Sequence, residues 1–247
     1  MKQLTQEQGE GEERSATRTA AVYEQLRNGI VSGRLLPGEK LRVEALREKY
    51  GVGGSPLREA LSRLAAEGLV LQQEQKGFRV APVSPADLME LTRTRCWINE
   101  IALRESLANG DAAWEEQVLV AFHRLFRVPP RLPDEPDITN PAWSRLHQAF
   151  HTALIAACGS HWLIDFSNML SDRADRYRNL VAASSSVERD MLGEHRELME
   201  AVIERKTEQA IALLNAHISK TADLLLAAST DEGFARKALL AEDASPG

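Results

Sequence analysis

Residues 50–70, with the sequence YGVGGSPLREALSRLAAEGLV, decide the fold of the amino-terminal part of the chain. Their pattern predicts a helix that ends at Tyr50, a tight connection containing glycine, and a second helix over residues 55–67. Ser55 is expected to cap this second helix, and Pro56 lies in its first turn, where a missing N–H is harmless. Two helices joined by such a turn, the second with outward arginines, form a helix-turn-helix.

The flanking residues complete a winged version of this motif. Residues 17–32 carry apolar side chains at helical spacing and predict an amphipathic helix. Residues 69–71 and 77–80 alternate as strands do, and a polar tip at residues 72–76 separates them. The pair predicts a β-hairpin, the wing, beside the second helix.

Charge is distributed unevenly along the 247 residues, whose net charge is −6. Residues 16–83 carry 11 Lys and Arg against 7 Asp and Glu, whereas residues 84–247 carry 17 against 25. A basic segment attached to an acidic body indicates that the winged segment alone faces a polyanion such as double-stranded DNA.

Composition limits the class of protein. The chain is 43% hydrophobic and 27% charged, as in ordinary globular proteins. No apolar run reaches the ~20 residues that span a bilayer, and the acidic start of the chain is unlike a secretory signal. Cys96 and Cys158 make no disulfide framework. We therefore expect a cytoplasmic protein with no membrane partner.

Proline and composition predict the domain boundaries. Pro82 and Pro85 bracket a linker, and Ser84 is a suitable N-cap for the helix that follows. The later part of the chain reads as helix throughout, at about 86–109, 112–127, 141–157, 161–182, 187–205 and 207–230. The predicted organisation is a disordered tail (1–15), a winged helix-turn-helix domain (16–81), a linker (82–85), an all-helical domain (86–231) and a second tail (232–247). The fold class is mainly α.

Four of the six histidines lie in the apolar stripes of predicted helices: His147, His151, His195 and His217. His147 and His151 are four residues apart and so share one helix face. A buried imidazole without a partner costs about 1–3 kcal/mol, so four of them favour one common partner. Neutral imidazole is a favoured ligand of divalent transition metals, which makes a shared ion the leading interpretation. Separate hydrogen-bonded core histidines are the alternative.

Both the winged segment and the helical half of the chain resemble a known family. The run 50–70 and the segment KGFRV at residues 76–80 are similar to the winged helix-turn-helix of GntR-superfamily transcription factors. The acidic half resembles the all-helical FCD ligand-binding domain of the FadR branch, and FHTALIAACGS at residues 150–160 resembles regulators of the CsiR type, which respond to glutarate-related acids. The FCD resemblance is carried by residues 91–95, 150–154, 194–202 and 216–218.

The resemblance implies roles for residues of the winged domain. Arg58 and Arg63 would approach base edges or phosphates from the recognition helix, with an ion pair to Glu59 or Glu44 as the alternative for Arg58. One departure is Gly54, where many relatives have arginine. The implied DNA-binding set is Arg42, Arg47, Lys49, Ser55, Arg58, Ser62, Arg63, Lys76 and Gly77, with Lys76 and Gly77 entering the minor groove.

The resemblance also implies a metal site in the helical domain. Relatives hold a metal with one aspartate and three histidines. His147 occupies the aspartate position, and because an imidazole replaces a carboxylate there, the charge of the site becomes one unit more positive. Zinc is expected, with nickel as the alternative. Arg95 matches a position that meets the effector's carboxylate, although a structural salt bridge is an equal alternative. Asn99 and Tyr177 are further effector-binding candidates.

The leading hypothesis is a metabolite-responsive DNA-binding regulator, a repressor that forms a homodimer on a two-fold operator. A small organic acid, with a dicarboxylate favoured, would release it from DNA. A metal-sensing regulator uses the same residues. A helical-bundle metalloenzyme is the least favoured alternative, because the sequence contains no nucleophile elbow, phosphate loop or paired carboxylates.

Overall fold

The computed structural model describes residues 18–73, 76–135, 139–181 and 190–229. They form two compact units, divided between Val83 and Ser84. The predicted tails, and the central residues of the wing tip, lie outside the described residues.

In the part of the first unit that the structure describes there are three helices and a small sheet. Helix α1 covers residues 18–31, α2 covers Val43–Tyr50 and α3 covers Gly54–Ala66. Gly51 ends α2 with φ = 63°, a left-handed conformation that favours glycine. The apolar faces of the helices meet in one core, whose fully buried members include Leu26, Ile30, Leu57, Leu61 and Leu64.

The start of α3 differs from the prediction. The N-cap is Gly53, in extended conformation, and the helix begins at Gly54, so Ser55 lies inside the first turn and does not cap it. Leu57 N–H donates to Gly53 O at 3.4 Å, which fixes this earlier start. Pro56 is still harmless, because first-turn N–H groups have no partner within the helix. No side chain caps α3.

The sheet has the order β1-β3-β2 and is antiparallel throughout. Strand β2 (Val70–Gln73) pairs with β3 (Gly77–Val80) from Val70–Val80 to Gln73–Gly77. Pairing therefore extends two residues into the predicted polar tip. Strand β1 (Lys40–Leu41), which was not predicted, adds Leu41 opposite Phe78 on the other side of β3.

The described residues of the second unit form a bundle of six helices: α4 (Pro85–Asn109), α5 (Ala112–Phe126), α6 (Pro141–Leu154), α7 (His161–Val181), α8 (Met191–Ile203) and α9 (Thr207–Ser229). Helix α4 packs against α7 and α9, while α5 packs against α6 and α8. The core between them is rich in leucine and includes Phe150, Leu103 and Leu198. Among the described helices, none is both long and apolar enough to cross a membrane.

Helix ends follow local capping. Ser84 caps α4 as predicted, with its Oγ accepting from Asp87 N–H at 3.1 Å. Helix α6 ends at Leu154, three residues earlier than predicted, and the chain then turns toward Gly159, whose φ is 73°. Helix α8 begins at Met191 because the Asp190 carboxylate caps it by accepting from Gly193 N–H at 2.8 Å.

Candidate metal centre and nucleic-acid interface

Three helices of the second unit bring four histidines together. His147 and His151 lie one turn apart on α6, His195 lies on α8 and His217 on α9. His195 is fully buried, and His147 and His217 are nearly so. One ligand nitrogen from each residue lies within 4.8 Å of the corresponding nitrogen of every other. The four predicted ligands therefore converge on one place.

The spacing of the donors fits a metal ion. The Nε2 atoms of His147 and His151 are 3.2 Å apart. Ligands bound to zinc at about 2.0–2.1 Å in a tetrahedron are separated by roughly 3.3–3.4 Å, so this pair is already near ligand spacing. The donor set is nitrogen only, which suits zinc or nickel better than magnesium or calcium.

The imidazoles of His147 and His151 are held in the neutral form that binds metals. Burial, followed by the neighbouring His151 and the Arg178 guanidinium, holds the pKa of His147 well below its usual range. Burial, followed by His217 and His195, lowers the pKa of His151 in the same way. Neutral imidazole keeps one nitrogen lone pair for a cation.

Glu194 orients one of the four rings. Its Oε2 accepts a hydrogen bond from His217 Nδ1 at 2.9 Å, and its Oε1 accepts from Lys220 Nζ at 2.8 Å. Because a carboxylate only accepts, Nδ1 carries the proton and Nε2 presents its lone pair. Sequence analysis missed this role, because Glu194 adjoins His195 in sequence but meets a histidine from another helix.

A cavity of about 130 Å³ adjoins the histidine cluster. His147 and His217 form part of its wall, and three arginines, Arg95, Arg131 and Arg178, contribute positive charge. Apolar side chains line much of the rest: Pro130, Trp143, Met191, Ile218, Leu224 and Leu225. A small anion with an apolar middle suits such a lining.

Arg95, the predicted effector contact, is a buried cation in the wall of this cavity. One of its amino groups donates to Ser171 Oγ at 3.2 Å. Burial, and next the nearby Arg178, lower its pKa to about 10, so the guanidinium stays charged at neutral pH. The structure shows no salt bridge of Arg95 within the described residues, and the site would gain from an incoming carboxylate.

Arg178 is a cavity residue that sequence analysis missed. Its guanidinium pairs with Asp175, and Nη1 lies 3.4 Å from His147 Nδ1. It also lies over the Trp143 ring, 5.8 Å from the centroid. The only signal in the sequence was a run of arginines on α7. Which of these arginines face solvent and which face the cavity depends on the helices that pack against α7, and the run itself does not show this.

Asn99 and Tyr177 are not among the residues that line the cavity. The Asn99 side chain donates to Arg95 O at 2.8 Å and accepts from Ser167 Oγ at 2.9 Å, so it joins α4 to α7. The Tyr177 hydroxyl donates to Asp87 and accepts from Ser84 N–H at 3.2 Å, which turns it toward the start of α4. The side chains of both predicted effector contacts therefore form hydrogen bonds between α4 and α7 or at the start of α4.

The predicted DNA-binding side chains of the first unit lie at its surface. Arg58 and Ser62 are exposed on α3, and within the described residues Arg58 forms neither of the considered ion pairs. Arg63 lies over the Tyr23 ring, 4.2 Å from its centroid, which holds it toward α1. The other members of the set are also exposed: Arg42 just before α2, Arg47 and Lys49 on α2, Ser55 on α3, and Lys76 and Gly77 at the wing.

Gly54 leaves room for the side chain that relatives have. A Cβ added there would meet only the Arg47 Cδ atom, at 3.9 Å, which is ordinary van der Waals contact. The backbone at this position therefore does not require glycine.

Two family models match the chain. Residues 18–80 match "Bacterial regulatory proteins, gntR family", and residues 90–220 match the FCD domain. FCD domains often bind a metal ion. Regulators of the gntR family bind DNA operators and commonly dimerise.

Curated relatives are similar over most of the chain. The HTH-type transcriptional regulator BphR of Paraburkholderia xenovorans is 39% identical over 201 residues, covering 81% of this chain and 82% of the relative. The HTH-type transcriptional repressor GlaR of Escherichia coli is 37% identical over 200 residues, covering 79% and 90%.

Solved structures support the fold. E. coli McbR/YncC superposes with a TM-score of 0.69 at 19% identity, covering 85% of this chain and 97% of that one. Because the family and these relatives are transcriptional regulators, the metalloenzyme interpretation is excluded. A basic winged unit with exposed arginines, a helical unit with four converging histidines, and these matches together identify the chain as a DNA-binding transcriptional regulator of the GntR family, with a carboxy-terminal FCD domain.

Proposed function

We propose that this regulator is a repressor that acts as a homodimer in the cytoplasm and leaves its operator when a small organic acid binds beside a metal ion. The observation that carries the proposal is the convergence of four imidazoles, three of them buried, next to a cavity whose wall contains three arginines. The metal is zinc, with nickel as the alternative, and the acid is a dicarboxylate.

Exposed side chains of the first unit support the DNA-binding half. Arg58 and Ser62 project from α3 away from the core formed by its other face. An arginine that meets guanine in the major groove forms two hydrogen bonds, and its removal costs about 1–3 kcal/mol of discrimination. Arg42, Arg47 and Lys49 serve as phosphate contacts, and Lys76 and Gly77 bring the wing to the minor groove.

The nitrogen ligands of the histidine cluster support the metal-binding part of the proposal. His147, His151, His195 and His217 would hold the ion, and Glu194 would fix the ring of His217. Four neutral imidazoles leave the full positive charge of a divalent cation uncompensated. The bound ion supplies a Lewis-acidic positive charge to the adjoining cavity.

The charge and the apolar lining of the cavity support a small organic acid as the effector. Arg95 and Arg178 add positive charge to the wall of the cavity, and apolar lining residues such as Ile218 and Leu225 suit a short methylene chain. A dicarboxylate of the glutarate or 2-hydroxyglutarate kind carries two anionic ends and an apolar middle. The cavity of about 130 Å³ favours such a small acid over a fatty acyl thioester.

Operator release follows from differential affinity. An acid that binds the DNA-incompetent state more tightly than the DNA-competent state shifts the population toward release, and only by the ratio of the two affinities. A metal sensor would instead respond to the ion alone, through the same four histidines.

Fluorescence anisotropy with an operator selected from a random DNA pool tests the proposal. Glutarate, 2-hydroxyglutarate, lactate and a fatty acyl thioester are titrated into the complex at constant zinc, with Arg95→Met as the variant and Arg124→Met, an exposed arginine on α5, as the matched control. We expect release by the dicarboxylates and loss of that release in Arg95→Met alone. Release by the thioester only, an effect of acid that persists after chelation, or release by zinc without acid contradicts the proposal.

A further inference from the structure

The two ring nitrogens of His147 meet different neighbours. Its Nε2 faces the Nε2 of His151 at 3.2 Å, inside the histidine cluster, whereas its Nδ1 faces the Arg178 guanidinium, with 3.4 Å between Nδ1 and Nη1. The Trp143 ring stacks on the imidazole, with 4.6 Å between centroids and 23° between planes, and so restrains the plane of the ring. One nitrogen therefore belongs to the candidate metal site, and the other lies beside an arginine of the cavity wall.

Without a metal ion, the neighbours of His147 fix the position of its ring proton. A guanidinium has five N–H donors and no acceptor, so Nδ1 accepts a hydrogen bond from Arg178. The proton of the neutral ring is then on Nε2, which donates it to His151 Nε2. In this tautomer both nitrogens of His147 have partners, and one N–H group of Arg178 is used by the ring.

Metal binding requires the other tautomer. The lone pair that His147 offers inside the cluster is that of Nε2, so the proton of the metal-bound ring is on Nδ1. Nδ1–H then faces an N–H group of Arg178, and two donors form no hydrogen bond with each other. Histidines that ligate metals almost always donate their second N–H to an acceptor, as His217 does to Glu194. Within the described part of the chain, His147 has no such acceptor.

The two donors suit one carboxylate. An oxygen atom can lie about 2.9 Å from both His147 Nδ1 and Arg178 Nη1, which are 3.4 Å apart. Both residues line the cavity, so an acid in that cavity can reach them. Asp175 pairs with the other amino group of Arg178, Nη2, and leaves Nη1 to the acid. Hydrogen bonds between charged groups are the strong ones, and an aspartate at position 147 would offer no donor at all.

We propose that His147 Nδ1–H and Arg178 Nη1–H together bind one carboxylate of the acid, and that this pair of donors exists only when His147 Nε2 ligates the metal ion. The inference deepens the proposed function and rests on it, because it names the residues through which metal binding and acid binding are coupled. Acid binding then depends on the metal even where the acid does not ligate the ion. Coupling between two ligands is reciprocal, so the acid also strengthens metal binding.

Nitrogen NMR of the full chain, isotopically labelled at its histidines, tests the proposal directly. Spectra are recorded after chelation, after zinc loading and after addition of glutarate, and the His147 resonances are those missing from His147→Gln. We expect His147 Nδ1 to gain its proton on zinc loading, and the Nδ1–H resonance to move when glutarate binds. His217 is the internal control, since its Nδ1 already donates to Glu194 and should keep its proton in every sample.

Calorimetry tests the role of Arg178. Glutarate affinity is measured with zinc-loaded and with zinc-free protein, and the ratio of the two affinities is the coupling. Arg178→Gln removes the guanidinium beside His147, and Arg95→Gln, which removes the same charge from the same wall, is the matched control. We expect weaker glutarate binding in both variants, but a coupling that falls about tenfold or more only in Arg178→Gln, as for one hydrogen bond to a charged group. Because glutamine can accept from Nδ1–H, the zinc affinity of this variant without acid should rise.

Three results overturn the inference: a His147 Nδ1 that is protonated before zinc loading, an Nδ1–H resonance that does not respond to bound glutarate, or equal coupling in the two variants. In each case wild type still binds zinc and glutarate, so the proposed function stands. A wild-type chain that binds no zinc, or no dicarboxylate, overturns both. Circular dichroism checks the folding of the variants, and the tautomer of His147 is read from wild type, so the test does not depend on Arg178→Gln being folded.

Discussion

The two units of this regulator carry the residues of the proposed sites in opposite ways. In the first unit, Arg58, Lys49 and Lys76 project from the surface, each from its own short stretch of chain, and none is needed for the core. In the second unit, His147, His195 and His217 come from three helices and meet in the interior. Under the proposed function, DNA binding in the first unit is therefore separable from stability, whereas metal binding in the second unit is coupled to it.

This difference follows from what each site must meet. A DNA duplex is a large external surface, and a folded scaffold needs only to present cations toward it. A metal ion and a small acid must be surrounded, so their ligands take part in packing and replace apolar residues in the core. Substitutions in the two units should therefore give different combinations of lost function and lost stability.

The largest effect is expected from His151→Ala. Removing one of four ligands should reduce metal content from about one ion per chain to near zero, measured by elemental analysis of protein purified without chelators. Chelation should lower the melting temperature of wild type by about 5–10 °C and leave that of the variant unchanged. His161→Ala, at an exposed histidine, is the control and should behave as wild type. If His151→Ala retained its full metal content, the proposed four-histidine metal site would be contradicted.

Glu194→Gln should weaken the same site without removing a ligand. The amide cannot hold His217 Nδ1–H as a carboxylate does, and loss of such a partner typically lowers metal affinity about 10–100-fold. Competition with a chromophoric chelator measures the change. Glu197→Gln, at an exposed position on the same helix, is the matched control. Equal affinity in the two variants would show that Glu194 does not act on the metal.

In the first unit, Arg58→Ala should lower operator affinity tenfold or more and leave the melting temperature unchanged. The side chain is exposed and contributes no core volume, and a bidentate base contact is worth about 1–3 kcal/mol. Anisotropy titrations at constant salt measure the affinity, with the exposed Arg34→Ala as control. An unchanged affinity rules out the base contact, and a lowered melting temperature contradicts the separation of function from stability.

The smallest effect is expected from Lys49→Ala. A phosphate contact carries no sequence information, so binding should weaken by a similar factor for operator and for unrelated DNA. The slope of the logarithm of affinity against the logarithm of salt concentration should fall by about one. A loss confined to the operator would place Lys49 at a base instead.

The same contrast explains what could be predicted from the sequence. The helix-turn-helix is a local pattern, so its helices and the strand Gly77–Val80 were predicted within a few residues, while the two-residue strand β1 depends on a distant partner and was missed. The start of α3 was placed at Ser55 because serine caps well, but the extended Gly53 begins the helix first.

In the helical unit, periodicity marked the four histidines as inward, and the structure brings them together. Periodicity does not tell which neighbour an inward side chain meets. Arg178 therefore escaped notice, as did the bond from His217 to Glu194. Asn99 and Tyr177 were predicted as effector-binding residues, but they are not among the residues that line the cavity and instead hydrogen-bond to Ser167 and to Asp87.

Anomalous diffraction from crystals of the full chain, recorded on both sides of the zinc absorption edge, tests the central claim most directly. We expect one anomalous peak per chain with His147, His151, His195 and His217 nitrogens at about 2.0–2.1 Å from it. In crystals soaked with glutarate, electron density should connect that peak to the cavity beside Arg95. The absence of a peak at the four histidines in zinc-containing crystals, or a peak elsewhere in the chain, would contradict the account.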